Sequence, residues 1–425
     1  MNKTFRWLLI AGLAAALAAC GGGLLGNQGR IRLVNATTGL GALDLFVDND
    51  AAAVGVPTTG ASDYFLRKAD TYSLDIRQSG SAASLLTTST VLVADKHQTV
   101  VAYNSGGTMA ATILDDEEPD PGRGKAKLRI FNTATAEPDR VDVYLITAAC
   151  STLDASAIAP TASSVSGLQM GYTELASSTT AYHLCVTSAG DKSDVRLEIP
   201  SFVLSEKRIV TVILARGAGG FLLNAIVLDQ QGAATQALNT SARARVATSV
   251  PTPVDVAVNG QAIAAGLTSP NIGPYILVPA GPVTVQVNGH DAAAAPFTAA
   301  PGADLTVLLT GAAAAVTLLA DDNTPSPSSA RPVKLRLVNG LNGTTGTATL
   351  TLNNVLIGSG AAPGQASGYT QVAASAGLAR LESRVGAVSF FFDNNATLES
   401  GRVYTLFLLG DGTATANLGI LVPDR

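Results

Sequence analysis

Few residues in this chain are placed to do chemistry. The three histidines, His97, His183 and His290, stand far apart. No zinc-ligand spacing, G-x-S-x-G elbow, phosphate loop or paired-carboxylate site accompanies them, and an acid–base site needs convergent partners. The reading is therefore of no catalytic residue, no bound metal and no cofactor. What recurs is basic: Arg30/Arg32, Lys127/Arg129, Arg243/Arg245 and Lys334/Arg336, each pair two residues apart. On a strand, a spacing of two puts both side chains on one face. Two readings fit such a row. It could dock an acidic glycan, a lipid head group or a carboxylate-rich partner at a surface, or it could be a solvated face that discourages edge-to-edge pairing. Asp44, Asp142 and Asp255 sit between apolar residues and are expected to pair across strands with Arg32, Arg129 and Arg245. Such a pair contributes about 0.2–1 kcal/mol. Thr349 takes that position near Arg336, so the fourth pair should be missing. Tyr64, Tyr172, Tyr275 and Tyr369 are expected to pack in the core or at a corner with the hydroxyl satisfied; a sugar-stacking platform is the alternative. The acidic run Asp115–Glu118 and the Asp48-Asn49-Asp50 turn lack the loop pattern of a calcium site, and Pro119 and Pro121 favour an extended linker.

Charge narrows the partners. The chain has 425 residues, 14% of them charged, with a net charge of −5 and no polybasic run. Such a chain binds phosphate backbones poorly, which excludes nucleic acid as the main partner. At the N-terminus, Lys3 and Arg6 precede an uncharged stretch, Trp7 to Ala19. That stretch is too short for a bilayer of about 30 Å and has the flanks of a secretory h-region. It ends in Leu17-Ala18-Ala19-Cys20, which resembles the lipobox of bacterial lipoproteins. The resemblance implies a signal peptide over 1–19, cleavage before Cys20, a diacylglyceryl thioether on its sulfur and acylation of its amino group. Several acyl chains, at about 0.8 kcal/mol per buried methylene, would make a stable membrane anchor. Gly21 is not the Asp that resembles an inner-membrane retention signal, so outer-membrane sorting is favoured. Residues 20–29 then form a lipidated cysteine and a flexible tether. Cys150 and Cys185 remain. In an oxidising compartment they read as a disulfide worth about 2–4 kcal/mol, or as two small buried thiols.

These residues recur because the elements that carry them recur. RIRLVN, KLRIFN, RARVAT and KLRLVN open four segments, at 30–35, 127–132, 243–248 and 334–339. LDLFVD, VDVYLI, VDVAVN and ATLTLN follow, then the four tyrosines, spaced 108, 103 and 94 residues apart. A further strand comes next (YSLDIR, YHLCVT, VTVQVN, ARLESR), then a Thr-led strand at Thr99, Thr211, Thr306 and Thr405. An apolar strand near Asp closes each unit: ILDD, VLDQ, LLADD and LVPD. Every landmark alternates with period two, and Gly-rich turns separate them. The pattern predicts an all-β chain of four tandem antiparallel β-sandwich domains, immunoglobulin-like or transthyretin-like, over 30–122, 125–230, 241–322 and 331–425. Leu305 to Ala320 could pass for a membrane helix, but the repeat register makes it two strands joined around Gly311.

The R-x-x-N-like strand, the V-D-V-Y-like strand, the tyrosine and the paired C-terminal hairpin resemble the bacterial extracellular domain-of-unknown-function family 4397. LDLFVD, VDVYLITA and Tyr172 onward carry most of the likeness. Thr248 and Thr349 depart from it, replacing Asn and Asp. The resemblance implies secreted or envelope-attached β-sandwich repeats and supplies no catalytic residue. The expectation is an exported, lipid-anchored envelope protein, facing periplasm or exterior, with a non-catalytic binding, adhesion or spacer role toward an envelope glycan or protein. A purely structural component without a discrete ligand is the alternative; an uncharacterised hydrolase ranks below both.

Overall fold

The computed structural model describes residues 26–425 except 106–107, 135–139, 154–156, 169–170, 327–329 and 413–417. Cys20 and the leader lie outside the described residues. The described chain is almost entirely β-strand, with one short 3-10 turn at Cys150–Thr152. None of its helices is long and apolar enough to cross a membrane. Leu305 to Ala320 forms parts of two paired strands, Asp304–Thr310 and Ala315–Asp321.

Among the described residues eight of the nine sheets come in four successive pairs, each enclosing its own buried apolar cluster; the ninth, Gly281–Pro282 with Thr298–Ala299, is a two-stranded addition to the third. In the first unit the opening strand, Gln28–Asn35, is central in one sheet. It runs parallel to the Thr-led strand His97–Ser105, which pairs antiparallel with Thr108–Asp115. The second sheet is fully antiparallel, ordered Asp50–Val56, Leu43–Val47, Asp70–Gln78, Ser84–Leu92. The other units repeat this plan, opening on Lys125–Asn132, Ser241–Thr248 and Val333–Asn342. The parallel pair departs from the wholly antiparallel sandwich expected. Two parallel strands need a long crossover, and here the entire second sheet supplies it.

Alternation explains which residues enter each core. Ile31 and Leu33, Leu128 and Ile130, Ala244 and Val246, and Leu335 and Leu337 point between the two sheets and are buried. The basic residues face the other way, yet not into solvent. On their face, two residues beyond each second basic residue, stand Val34, Phe131, Ala247 and Val338, all buried. Val34, Val101 and Leu114 of the first unit meet Phe131, Ile213, Ile226 and Leu228 of the second. Ala247, Leu308 and Leu319 of the third meet Val338, Phe407 and Leu409 of the fourth. The units therefore pack back to back in two pairs. Gly340 lies in the second of these interfaces. A Cβ there would come within 2.9 Å of Leu308 and Leu409 side-chain atoms, so a larger residue would push these leucine ends aside.

In three of the units the recurrent Asn links the opening strand to the second sheet or the loop leading to it. The Asn35 amide donates to the Gly41 and Val56 carbonyls, and its Oδ1 accepts from Thr37 N–H. Asn339 does the same with Ala361 and Leu341. Thr248, in the third unit, keeps only the local turn, accepting from Val250 N–H at 3.0 Å. Cys150 and Cys185 form a disulfide, with Cα atoms 5.6 Å apart. It fastens the segment after Val141–Ile146 onto Tyr182–Ser188 and makes a small second core with Tyr144, Ile146 and Leu153.

Candidate functional site

The chemistry-bearing residues converge on one arrangement, built four times. In each unit the second basic residue faces the recurrent Thr across the parallel strand pair: Arg32 with Thr99, Arg129 with Thr211, Arg245 with Thr306, Arg336 with Thr405. Its Nε donates to that hydroxyl at 2.8, 3.2, 2.9 and 3.1 Å. The recurrent Tyr ring covers the guanidinium at 4.2, 4.3, 4.5 and 4.6 Å. The closing Asp completes the group in three units. Asp116 accepts from Tyr64 and Thr99, Asp321 from Tyr275 and Thr306 (both 2.6 Å), and Asp424 from Thr405. In the second unit Gln230 holds the corresponding place. Tyr172 then bonds Thr211 directly at 3.0 Å, and one buried Arg129 nitrogen has no partner.

The arrangement reaches across each pair of units. Arg245 pairs with Asp424 of the fourth unit at 2.6 Å, and Arg336 returns the contact to Asp321 of the third. This reciprocal exchange is buried: Arg245 and Arg336 are each 2% exposed. In the first pair, Arg32 reaches the Gly232 and Asp229 carbonyls of the second unit, at 2.7 and 3.3 Å. Gln230 binds the linker backbone at Glu118 in both directions, at 2.9 and 2.8 Å.

The electrostatics follow from this burial. Desolvation pushes the Asp321 carboxyl up, but the Arg336 and Arg245 guanidiniums outweigh it and hold the group below the ordinary carboxylate range. Burial, helped by Asp116, raises the Tyr64 hydroxyl, and burial raises Tyr275 and Tyr369 likewise, so these phenols stay protonated, and Tyr64 and Tyr275 donate to their aspartates. Asp304 is raised by burial against the opposing pull of Arg243.

The first basic residue of each pair has a different task. Lys127 bonds Glu118 at 2.6 Å and the Pro119 carbonyl at 2.8 Å, and Lys334 bonds Asp322 at 2.7 Å and the Thr324 carbonyl at 2.7 Å. Each thereby holds the linker entering its own unit. Arg243 makes a two-point contact with Asp304, and Arg30 reaches His97 at 3.4 Å. A surface docking row and a solvated face are both corrected by this geometry. Arg32, Arg245, Lys334 and Arg336 are buried, and Arg30, Lys127, Arg129 and Arg243 are partly so, because their strand face is covered by a neighbouring unit or linker.

The central aspartates are corrected too. Asp44, Asp142 and Asp255 do not pair with Arg32, Arg129 and Arg245, which lie in the other sheet. Their carboxylates accept the amides of Gly55, Ser164 and Gly266 at 2.7, 2.6 and 2.7 Å. Those three residues have φ of 68°, 53° and 62°, at the points where the neighbouring strands shift register. Each Asp therefore clamps a β-bulge. Thr349 has no such carboxylate; the register there also changes, from Thr351–Leu356 to the Ala348–Ala361 bridge, without a side-chain clamp from Thr349. The acidic run is likewise spent internally: Asp116 on Tyr64, Glu117 on His97 and Lys96, Glu118 on Lys127.

The partners of the arginines, Thr99, Asp116 and their counterparts, were visible in the sequence only as landmarks. The signal that joins them to the basic pairs is the apolar residue on the basic face, since Val34 or Phe131 beside Arg argues against a solvated face.

Residues 29–144 and 242–345, just over half of the chain, match the family described as Domain of unknown function (DUF4397). The chain belongs to this family. In these DUF4397 repeats the matched stretches span the opening strand and the bulged strand in both cases. No curated protein matches the chain. Among solved structures, similar chains include the product complex of SpuA, a multi-modular glycogen-degrading pneumococcal virulence factor. It is 10% identical over 86% of this chain and 37% of that one, with a TM-score of 0.17. CBMbc, of family CBM26, from Eubacterium rectale Amy13K in complex with maltoheptaose, is 12% identical over 48% of this chain and 97% of that one (TM-score 0.16). The Bacillus anthracis TIE protein is 8% identical over 90% of this chain and 68% of that one (TM-score 0.15). Scores this low carry no argument about a ligand.

Proposed function

We propose that this DUF4397 protein is exported, anchored by lipid at Cys20, and acts in the cell envelope as a non-catalytic spacer that carries binding or adhesive surfaces away from the membrane. The observation that supports this reading best is the reciprocal exchange of Arg245–Asp424 and Arg336–Asp321. Arg245, Arg336, Asp321 and Asp424, with side chains 0–2% exposed, join one sandwich to the next, and a buried ion pair with complementary hydrogen bonds fixes geometry more than it adds stability. An array stiffened in this way suits a stalk. The lipobox-like Leu17-Ala18-Ala19-Cys20 supports the anchor, and Gly21 supports the outer membrane, with the protein facing periplasm or exterior. The partner would be an envelope glycan or protein, met by the outer faces of the repeats; a structural component without a discrete ligand is the second reading.

Two experiments test this. Labelled palmitate should enter the wild-type chain and be absent from Cys20→Ser, which should leave the membrane fraction. Full labelling of Cys20→Ser would remove the anchor. Cross-linking in intact cells should then capture a recurring envelope component with the wild type. Capture of none at any cross-linker length would favour the structural component, and turnover on a hydrolase panel, abolished by one His or Asp substitution, would replace both readings.

A further inference from the structure

The fully antiparallel sheet of each unit ends on a corresponding edge strand: Ser84–Leu92, Asp191–Phe202, His290–Asp291 and Val388–Leu398. An edge strand offers unpaired amides and carbonyls to any other strand, and proteins blunt such edges with charge, proline, bulges or brevity. Three of the four are blunted. Asp191–Phe202 carries Asp191, Lys192, Asp194, Arg196, Glu198 and Pro200, with three shifts of register. His290–Asp291 has two residues. Val388–Leu398 carries Asp393 and three shifts. Ser84–Leu92, SLLTTSTVL, has no charge, no proline and no glycine, and its register against Asp70–Gln78 is unbroken from Leu86 to Leu92. Its outward residues include Leu85 and Val91, 37% and 60% exposed.

We propose that Ser84–Leu92 is a self-association edge, on which the same strand of a second copy of this chain adds antiparallel and joins two four-stranded sheets into one. The side chain of Gln98 already donates to the Val91 carbonyl at 3.2 Å, which ends the available ladder at Thr90 and puts the two-fold axis at Thr87. Pairing about that axis sets Thr87 against itself, Leu86 against Thr88, Leu85 against Ser89 and Ser84 against Thr90. Threonine pairs and apolar contacts of this kind favour strand pairing, whereas like charges directly opposite oppose it. A neutral strand meets its own image with no such clash. An antiparallel Asp191–Phe202 pair with its axis at Arg196 would set Arg196 against Arg196 and Asp194 against Glu198, like charges directly opposite. The complementarity of Ser84–Leu92 with itself selects a second copy as the occupant.

The axis residue gives the test. Facing residues of an antiparallel pair have Cα atoms about 4.5–5.5 Å apart, within disulfide reach. In the purified full-length chain, Thr87→Cys oxidised with diamide should give a dimer-mass band on non-reducing gels that collapses on reduction. Asn394→Cys, on the blunted edge of the fourth unit, should stay at monomer mass. In sedimentation of the detergent-solubilised chain the wild type should be dimeric and Thr87→Lys monomeric, with unchanged circular dichroism. A monomeric wild type at about 50 µM would overturn the proposal. So would Thr87→Cys and Thr88→Cys variants that cross-link no more than Asn394→Cys.

Discussion

At the scale of residues, the molecule turns on a guanidinium covered by a tyrosine ring, fixed by a threonine hydroxyl and balanced by a carboxylate. Asp321 is the most heavily used member, since it accepts from Tyr275 and Thr306 and neutralises Arg336 and Arg245. Removing one partner of a buried pair leaves the other charged and dry, a loss of about 3–5 kcal/mol. Asp321→Ala should therefore lower the denaturant midpoint steeply. Asp322→Ala, at a side chain 56% exposed in its pair with Lys334, should cost less than about 1 kcal/mol. Acid should act through the same carboxylate. Asp321 is held below the ordinary carboxylate range in the folded state, so its contribution is fully present above about pH 4 and is lost as pH falls through the folded value. Calorimetric melts at successively lower pH should show this loss, and Asp321→Asn should flatten it. Asp304, raised by burial, acts with the opposite sign, because its protonation in acid relieves a cost carried at neutral pH.

At the scale of elements, the recurrent Asp of the second strand is a bulge clamp. Asp142 is 6% exposed and accepts from Ser164 N–H and from Gly190 N–H at 2.9 Å. Asp142→Ala would remove two hydrogen bonds that hold the bulge, and since Ser164 and Gly190 are exposed each should cost about 0.5–1.5 kcal/mol. Chemical denaturation should register that loss, whereas Thr349→Ala at the matching place in the fourth unit should change little. Gln230 shows how an element adapts when one member of the group changes. Without the closing Asp, its side chain turns to the linker at Glu118 and Tyr172 falls back on Thr211.

At the scale of the whole molecule, the pairs are the natural pieces. The first two units share one apolar interface and the last two another. Between the pairs the contact is smaller. It includes Phe221 beneath Arg243 at 3.7 Å, the Gly219 amide on the Gly302 carbonyl at 2.8 Å and the Asn323 amide on the Gly219 carbonyl at 3.2 Å, with Arg425 reaching the Gly220 carbonyl. Fragments 26–240 and 241–425 should each be monodisperse and unfold cooperatively. Fragment 125–330, of the same order of length, would expose Phe131 and Ile213 together with Ala247 and Leu308, all buried in the intact chain, and should aggregate. Light scattering of the three fragments after purification distinguishes these outcomes.

Local pattern sufficed for the features that depend on local physics. Strand alternation, the recurrence of the landmark strands and the half of each opening strand that enters its own core were all legible in the sequence. Pairing of Cys150 with Cys185 was legible as one of two readings. What faces the other half of each opening strand was not, because a strand with basic and apolar residues on its second face reads the same whether water or another sandwich lies against it. Only the tertiary structure brought Asp424 to Arg245 across 179 residues of chain. It also moved Asp44, Asp142 and Asp255 away from the arginines, by placing them in the opposite sheet. Alternation along a strand settles which way a side chain points, whereas the partner it meets there depends on how distant surfaces pack.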